Sequence, residues 1–143
     1  MNGLISLISG MIPTHDINTW IPQRPPFVFI DTIVEVSAQH AITQYTISET
    51  CPLMENGCLS LAGLMENAAQ SCAVRAGFSG GNRIGYIGAI KQMKATRLPK
   101  AGERLTTEVV LLQEVLNISL IECKTRLGEE IIATTTLKLA IID

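Results

Sequence analysis

Hydrophobic runs rich in β-branched and aromatic residues, some of them alternating with polar positions, recur along most of the chain and predict β-strands. The first two predicted strands form a hairpin and run from Phe27 to Val36 and from His40 to Ile47. Four more strands are predicted in the second half of the chain, over residues 83–95, 104–116, 118–127 and 130–142. The stretch "SETCPLMENG" at residues 48–57 lacks the alternation and is predicted to be a loop.

The centre of the chain has a different pattern, and its run of Leu, Ala, Met and Cys predicts one long helix from about Leu59 to Phe78. Three glycines are placed to end that helix, namely Gly77, Gly80 and Gly81. The predicted order is β-β-α-β-β-β-β, preceded by residues 1–20 as an apolar lead-in. One helix among many antiparallel strands is typical of an α+β fold, with the sheet wrapped around the helix in a single domain of residues 1–143.

Composition narrows the possible function classes. Hydrophobic residues make up 47% of the chain and aromatic residues 4%, which predicts an aliphatic core. The formal net charge of −2 excludes a strongly basic nucleic-acid-binding protein. No stretch is long and apolar enough to span a bilayer, and the lead-in lacks the positive start of a signal peptide. We therefore expect a cytoplasmic protein without nucleic-acid or membrane partners.

The chain has four cysteines, which are Cys51, Cys58, Cys72 and Cys123. None belongs to a C-x-x-C pair, and no histidine stands at metal-ligand spacing from them, so no metal site is predicted. We expect reduced thiols, as in other cytoplasmic proteins. Cys58 is a candidate nucleophile, although no base partner for it is evident in the sequence.

Glu66 is the chemically distinctive residue of the predicted helix. At 100° per residue it shares a stripe with an amide, Gln70, and with small side chains such as Ala62, Ala69 and Ala73. In one interpretation Glu66 and Gln70, four residues apart, hydrogen-bond each other on a partly wet face. In the other, burial raises the proton affinity of the carboxylate and makes it a general acid or base. The pattern leaves both interpretations open.

Three segments carry a resemblance to a known family. They are "IPQRPPFVFIDTIVEV" from Ile21, "LAGLMENAAQ" from Leu61, and "YIGAIKQMKATRLPKAGERLTTEVVLL" from Tyr86. In this order they resemble the opening L-P-H-R-x-P-F, the helix motif h-h-x-E-A-x-A-Q and the following strand, proline-containing turn and strand of hotdog-fold (3R)-hydroxyacyl-ACP dehydratases. The resemblance implies a hotdog fold, in which the antiparallel sheet wraps around the helix and two protomers pair edge to edge.

The resemblance also implies an active site. In the family, acyl thioesters on phosphopantetheine enter a tunnel between protomers, where a histidine from the loop before one helix acts with a glutamate on the other helix. Glu66 matches that catalytic glutamate. The corresponding loop, "CPLMENGCLSLAG", has no histidine, and His15 and His40 lie elsewhere and are expected to be ordinary surface residues. Substrate contacts are assigned, on the same resemblance, to Asn56, Gly57, Cys58, Asn67 and Gln70. No cofactor is implied beyond the phosphopantetheine of a carrier protein or of coenzyme A, which carries the substrate.

Basic residues gather near the predicted turn of this acidic chain. They are Lys91, Lys94, Arg97, Lys100 and Arg104. Such a patch is predicted to contact an acidic acyl carrier protein and to hold the phosphopantetheine phosphate. The alternative is a solvated strand end and turn with no partner.

Four functions remain open from the sequence. In the first, the chain is an active dehydratase in which Asn56 or Cys58 partly replaces the histidine. In the second, it is a dehydratase subunit completed by a histidine-bearing partner. Both functions belong to fatty-acid or polyene-like biosynthesis. The second resembles the paired dehydratase subunits of aryl-polyene and flexirubin-type pigment pathways. The third function is a thioesterase that uses Glu66 to activate water, and the fourth is a non-catalytic hotdog subunit. We expect a homodimer or a heterodimer with a related hotdog chain in each case.

Overall fold

The computed structural model describes residues 7–12, 14–78 and 84–142. It contains nine strands, one α-helix and one 3-10 helix at Thr14–Thr19. Before the α-helix come β1 (Leu7–Ile12), β2 (Thr32–Ser37), β3 (His40–Thr46), β4 (Met54–Glu55) and β5 (Cys58–Leu59). The helix α1 spans Leu61–Phe78, and it is followed by β6 (Ile84–Ala95), β7 (Arg104–Val115), β8 (Ile118–Leu127) and β9 (Glu130–Ile142).

Seven of the strands form one antiparallel sheet in the order β1-β2-β3-β7-β8-β9-β6, so that β1 and β6 are its edges. Strands β4 and β5 form a separate small hairpin. Helix α1 packs across one side of the large sheet, against β2, β3, β6, β7 and β8. The predicted α+β hotdog arrangement is confirmed. None of the helices in the described ranges has the length and hydropathy that crossing a membrane requires.

The alternating pattern defines two sides of the sheet, which we call the inner face, towards α1, and the outer face, away from it. In β8, for example, Ser119 and Ile121 are fully buried on the inner face, whereas Leu120 and Glu122 between them are partly exposed on the outer face. The buried hydrophobic residues are mostly Ile, Leu, Val, Ala and Cys, as the composition predicted, with Phe29 the largest of those that are fully buried.

The first predicted hairpin strand begins later than expected, at Thr32 rather than at Phe27. The main chain of Phe27 and Phe29 before it bonds to a helix side chain, and pairing with β3 begins only at Asp31, whose N–H donates to the carbonyl of Gln44 at 2.7 Å. The N–H of Phe29 donates to the Gln70 side chain at 2.8 Å, and the carbonyl of Phe27 accepts from the same amide at 2.8 Å. The hydrophobic run at residues 27–30 therefore packs beside α1 before the strand begins.

The predicted loop at residues 48–57 contains the β4–β5 hairpin. Asn56 and Gly57 form its turn, with φ angles of 53° and 77°. An Asn-Gly pair suits a two-residue hairpin because both of its residues tolerate positive φ. The hairpin also moves the start of the helix from Leu59 to Leu61, and Ser60 caps it by accepting a hydrogen bond from the N–H of Gly63 at 3.2 Å.

Two further expectations concern the ends of the helix and of the chain. Gly77 does not end the helix, because it lies inside α1. Gly80 and Gly81 lie outside the described residues. The lead-in, for which no strand was predicted, supplies β1, which pairs with β2 and extends the sheet.

Candidate functional site

Helix α1 turns three buried polar side chains towards the sheet and the segment before β2. Asn67, Gln70 and Ser71 on the sheet side are each 0% exposed. The other side carries the small stripe that the sequence predicted together with Met65 and Glu66. We call this side the open helix face, and its residues are Ala62, which is exposed, and Met65, Glu66, Ala69 and Ala73, which are half-buried.

The two helix amides hold the segment before β2. Asn67 donates to the carbonyl of Phe29 at 2.7 Å and accepts from the hydroxyl of Thr107 at 2.6 Å. Gln70 accepts from the N–H of Phe29 and donates to the carbonyl of Phe27. Every one of these bonds is to the protein itself, and the assignment of Asn67 and Gln70 to substrate binding stays a prediction. Both residues position the helix.

A line of buried hydroxyls extends this network into the sheet. The hydroxyls of Ser71 and Thr43 are 2.7 Å apart, and those of Thr107 and Thr125 are 3.1 Å apart. These threonines were not predicted as functional residues, although their inward positions in alternating strands are a usable signal. Because buried polar groups are costly without partners, this network selects one rotation of the helix about its axis.

That rotation leaves Glu66 on the open helix face. Among the described residues its carboxylate has no hydrogen-bond or ion-pair partner. The hydrogen bond between Glu66 and Gln70, one of the two interpretations of the sequence, is absent, because the Gln70 side chain bonds to the main chain of Phe27 and Phe29. A half-buried carboxylate between alanines and Met65 is available for an outside ligand or subunit.

The β4–β5 hairpin lies immediately before the start of α1. Its turn residues, Asn56 and Gly57, are exposed, and Cys58 is half-buried. The N–H of Leu59 donates to the carbonyl of Pro99 at 2.8 Å, and Cys58 forms a main-chain bridge with Lys100. The hairpin is therefore held against the turn between β6 and β7, and the predicted substrate-contact residues lie beside one of the predicted carrier-contact residues.

No histidine in residues 51–60 accompanies Glu66. His40 lies on the outer face, where its ring nitrogens stand 2.8 Å from Glu108 and 3.7 Å from Glu35. It is thus a partly buried residue between two carboxylates and not an ordinary surface residue. His15 belongs to the 3-10 helix at Thr14–Thr19.

The predicted basic patch is divided by the fold. Lys91 and Lys94 lie on the outer face of β6, away from the helix. Arg97 pairs with Glu103 at 3.4 Å and with Glu130 at 3.5 Å.

The two remaining members of the patch also have local roles. The main-chain N–H of Lys100 donates to Glu103 at 2.8 Å and lowers the pKa of that carboxyl group. Arg104 lies 3.7 Å from Asp31 and donates to Thr46 at 2.6 Å. The five basic residues are therefore divided between the outer face of β6 and the turn between β6 and β7, and carrier contact by them stays a prediction.

The described part of the chain contains no group of three His, Cys, Asp or Glu side chains arranged to hold a metal ion. Two thiols meet in the core, where the sulfurs of Cys72 and Cys123 are 3.6 Å apart. The hydrogen bond between them and the burial of both raise the pKa of Cys72 well above its ordinary value. Cys72 is therefore protonated at neutral pH and serves as a packing residue.

Comparisons with known proteins match this architecture. The model of the ApeP-like family, described as ApeP dehydratase, matches residues 15–141. The chain is 27% identical over 139 residues to the 3-hydroxyacyl-(acyl-carrier-protein) dehydratase FabZ of Levilactobacillus brevis, covering 90% of this chain and 92% of that protein. It is also 27% identical over 146 residues to FabZ of Clostridioides difficile, covering 93% of this chain and 99% of that protein.

Among solved structures, a chain of the dehydratase heterocomplex ApeI:P from Xenorhabdus doucetiae superposes with a TM-score of 0.82 at 18% identity, covering 92% of each chain. A second, PA5202 from Pseudomonas aeruginosa, superposes with a TM-score of 0.73 at 13% identity, covering 87% of this chain and 98% of that one. These structural similarities show the fold. Together with the family match over nearly the whole chain, they establish that this hotdog protein belongs to the ApeP-like family of dehydratases.

Proposed function

We propose that this chain is one subunit of a 3-hydroxyacyl-thioester dehydratase, and that it supplies Glu66 to an active site completed by a histidine-bearing hotdog partner. The observation that carries the proposal is the open helix face. It presents an available carboxylate beside a loop, residues 51–60, that contains no histidine. The related structure whose title names a dehydratase heterocomplex supports pairing between unlike hotdog chains.

The reaction needs two groups. A base removes the proton from C2 of the acyl chain, and the electron pair of that C–H bond forms the C2–C3 double bond. The C3–O bond breaks, and the departing hydroxyl takes a proton from an acid and leaves as water. We assign the base to the partner's histidine and the acid to protonated Glu66, which recovers its proton from the histidine or from water.

The partner has a second task, which is to exclude water. Glu66 is half-buried in a single protomer, and its neighbours on the open helix face are Met65 and three alanines. Small side chains allow a second subunit or an acyl chain to approach closely. Covering this face places the carboxyl group in an apolar channel, where charge interactions are stronger.

Edge strand β6 is the element we assign to subunit pairing. It contains Ile84–Ala95 and has a hydrogen-bonded neighbour, β9, on one side. An open edge of this length offers unpaired main-chain groups to another sheet. The acyl group is delivered as a thioester on the phosphopantetheine of a carrier protein or of coenzyme A.

The test compares this chain alone, its histidine-bearing homologue alone, and both co-expressed, with a 3-hydroxyacyl carrier-protein substrate. Enoyl thioester is expected from the mixture and not from this chain alone. In the mixture, Glu66→Gln lowers turnover by about 10²- to 10⁴-fold, the range expected for loss of an acid–base group. The matched control is Glu122→Gln, a partly exposed carboxylate of the outer face, which leaves turnover unchanged.

Several outcomes would overturn the proposal. Full activity of this chain alone would show that a partner's histidine is not required. Unchanged turnover in Glu66→Gln would show that Glu66 has no part in the reaction. Release of the free 3-hydroxy acid identifies a thioesterase instead. A mixture whose activity equals that of the homologue alone identifies a non-catalytic subunit.

We also propose that the protein acts in the cytoplasm. The supporting observation is that Cys51, Cys58, Cys72 and Cys123 are all free thiols. Free thiols persist in reducing compartments. Fractionation of the native host, followed by immunoblotting, tests the assignment, and recovery outside the cytoplasmic fraction contradicts it.

A further inference from the structure

The turn between β7 and β8 carries three exposed hydrophobic residues at one end of the sheet. Val115 and Ile118 are paired at the end of the ladder, and residues 116 and 117 connect them. We call Val115, Leu116 and Ile118 the apolar tip, and they are 56%, 94% and 41% exposed. Contiguous apolar exposure of this kind marks interaction sites. Nothing in the catalytic proposal for Glu66 requires this surface.

The main chain at the centre of the apolar tip does not favour a leucine. Leu116 has a φ of 58°, a conformation that glycine or asparagine adopts at lower cost than leucine does. Its side chain is almost entirely exposed, so packing within the single chain does not offset that cost. An apolar contact from outside the chain would offset it.

Two lysines stand behind the apolar tip on the outer face. A groove of about 380 Å³ joins them to the tip, and Lys91, Lys138 and Leu120 line it together with Leu116. Lys138 in β9 is opposite Leu120 in β8, and Lys91 in β6 is opposite Thr136 in β9. Neither lysine forms an ion pair with another described residue.

The nearest described carboxylates do not cancel this positive charge. Glu114 precedes the tip, but its carboxylate accepts a 2.9 Å hydrogen bond from Ser119, which lies on the inner face. Glu122 is four residues from Ile118 along β8, roughly 13 Å away, and it stands 3.8 Å from Lys124. Salt screens exposed charges beyond about 8–10 Å. The groove therefore presents local positive charge, although the net charge of the chain is −2.

We propose that the apolar tip inserts into the surface of an anionic phospholipid bilayer and that Lys91 and Lys138 bind the headgroups. The order of the groups favours a bilayer over a protein partner, because the tip protrudes and the cations stand behind it. Leu120, opposite Lys138, is two residues from Ile118, which is roughly 7 Å along the strand. Apolar groups at a membrane interface lie about 5–10 Å deep, so insertion of the tip brings Lys138 to the phosphates. Lys91 is farther back, and its long stem extends towards them.

The sequence gave no reason to expect this contact, since no segment of the chain is long and apolar enough to span a bilayer. A surface contact needs only a short apolar element with cations near it. Strand pairing brings Lys91 and Lys138 behind Leu116 although these residues are far apart in the chain. The contact is independent of the reaction proposed for Glu66.

The experiment measures co-sedimentation of the full-length chain, in its native assembly, with phosphatidylcholine vesicles that contain or lack phosphatidylglycerol. One variant is Leu116→Asn, which suits the positive φ and removes the apolar contact. The other is the double charge reversal Lys91→Glu with Lys138→Glu. The control is Lys124→Glu, on the outer face outside the groove. Insertion itself is measured by the fluorescence of Val115→Trp, whose emission moves to shorter wavelength when the tip enters lipid.

The unmodified chain is expected to bind vesicles that contain phosphatidylglycerol and to bind pure phosphatidylcholine much more weakly. Leu116→Asn and the double reversal are each expected to lower the partition coefficient by about tenfold or more, through loss of a buried leucine and of two attracted cations. Lys124→Glu is expected to stay within about twofold, since exposed ion pairs contribute little. Raising the ionic strength weakens binding. Val115→Trp is expected to show a larger shift with vesicles than the unmodified chain, whose one tryptophan is Trp20.

Further outcomes would contradict membrane docking. It is overturned if the unmodified chain does not bind anionic vesicles, or if both groove variants bind as well as the control. It is also overturned if Val115→Trp shows no additional shift, or if Leu116→Asn lowers the mass of the assembly, which identifies a contact with a protein subunit. Glu66→Gln is expected to bind vesicles normally while losing dehydration, and Leu116→Asn to keep dehydration in their absence. Each proposal can therefore fail without the other.

Discussion

The hydroxyl of Thr107 donates a 2.6 Å hydrogen bond to the amide oxygen of Asn67, and both residues are 0% exposed. The amide nitrogen of Asn67 in turn donates to the carbonyl of Phe29 at 2.7 Å. One side chain of the helix thus joins a central strand to the segment that precedes β2. These bonds fix the orientation of α1 about its own axis. In that orientation Glu66 lies on the open helix face.

Replacement of this amide is expected to be costly. Asn67→Ala leaves the Phe29 carbonyl without its side-chain donor and Thr107 without its acceptor, both in the core. The free energy of unfolding is expected to fall by roughly 2–4 kcal/mol. Urea denaturation followed by circular dichroism measures it. The control Gln39→Ala removes an exposed amide and is expected to change stability by less than about 0.5 kcal/mol. Equal effects of the two substitutions would contradict a structural role for Asn67.

Replacement of Gly63 by alanine is expected to destabilise the protein, although Gly63 lies in a helix. A Cβ at this residue would collide with the side chain of Leu59, which is 0% exposed. Gly63→Ala is therefore expected to destabilise the protein by about 1 kcal/mol or more, although alanine is favoured over glycine in helices by a similar amount. At Gly77 a Cβ would stand 3.4 Å from the Trp20 ring, so Gly77→Ala is the tolerated control. Thermal unfolding of both variants is the measurement, and a stabilised Gly63→Ala protein would disprove the clash.

Alkaline pH is expected to reduce stability through Cys72. The hydrogen bond with the Cys123 thiol and burial keep the pKa of Cys72 raised in the folded chain. In the unfolded chain the thiol ionises above about pH 8.5, so the unfolded state binds fewer protons and the free energy of unfolding falls as pH rises. The limit for one thiol is about 1.4 kcal/mol per pH unit.

The measurement is urea denaturation under reducing conditions between about pH 7.5 and 9.5, below the ordinary titration of tyrosine. Cys72→Ala lowers stability at every pH because it leaves a cavity, but it is expected to show a shallower decline with pH. Parallel declines in the two proteins would show that Cys72 does not contribute to the pH dependence.

The open helix face is expected to be covered in the native assembly. Ala69 is half-buried at its centre, and Ala69→Arg introduces bulk and charge where a subunit packs closely. We expect association to weaken by at least about tenfold, because an unpaired charge in an apolar contact is strongly unfavourable. Sedimentation velocity at micromolar concentration measures it. Glu129→Arg, at the exposed β8–β9 turn, is the control and is expected to leave the mass unchanged. An unaltered assembly in Ala69→Arg would place the subunit contact elsewhere.

Local patterns were sufficient for most of the elements. The strands Ile118–Leu127 and Glu130–Ile142 have the predicted bounds, because alternation with a period of two reports directly on a half-buried sheet. The segment from Phe27 to Asp31 misled the same reasoning. Its aromatic and β-branched residues suit a strand, but the main chain of Phe27 and Phe29 bonds to the amide side chains of a distant helix, which no local pattern records.

The same limit applies to the candidate site. Glu66 was singled out by its chemistry among small residues, and the absence of a histidine in the preceding loop is visible in the sequence itself. Asn67 and Gln70 looked equally available, and Lys91 and Lys94 looked like part of one patch. The partners of Asn67 and Gln70 are Phe27, Phe29 and Thr107, all far away in the chain, so contacts across the fold were needed to separate these positioning residues from Glu66.

The sequence by itself determined the α+β class, the single central helix, the family resemblance and the carboxylate at its centre, since periodicity and residue chemistry are local properties. Only the tertiary structure decided which side of that helix faces the sheet. Both sides carry polar groups, and the choice follows from buried threonines of β3, β7 and β8 and from the main chain of Phe29, which together satisfy Asn67, Gln70 and Ser71. The tertiary structure also brought Lys138 beside Lys91 and left Leu116 exposed, because strand pairing joins positions that are distant along the chain.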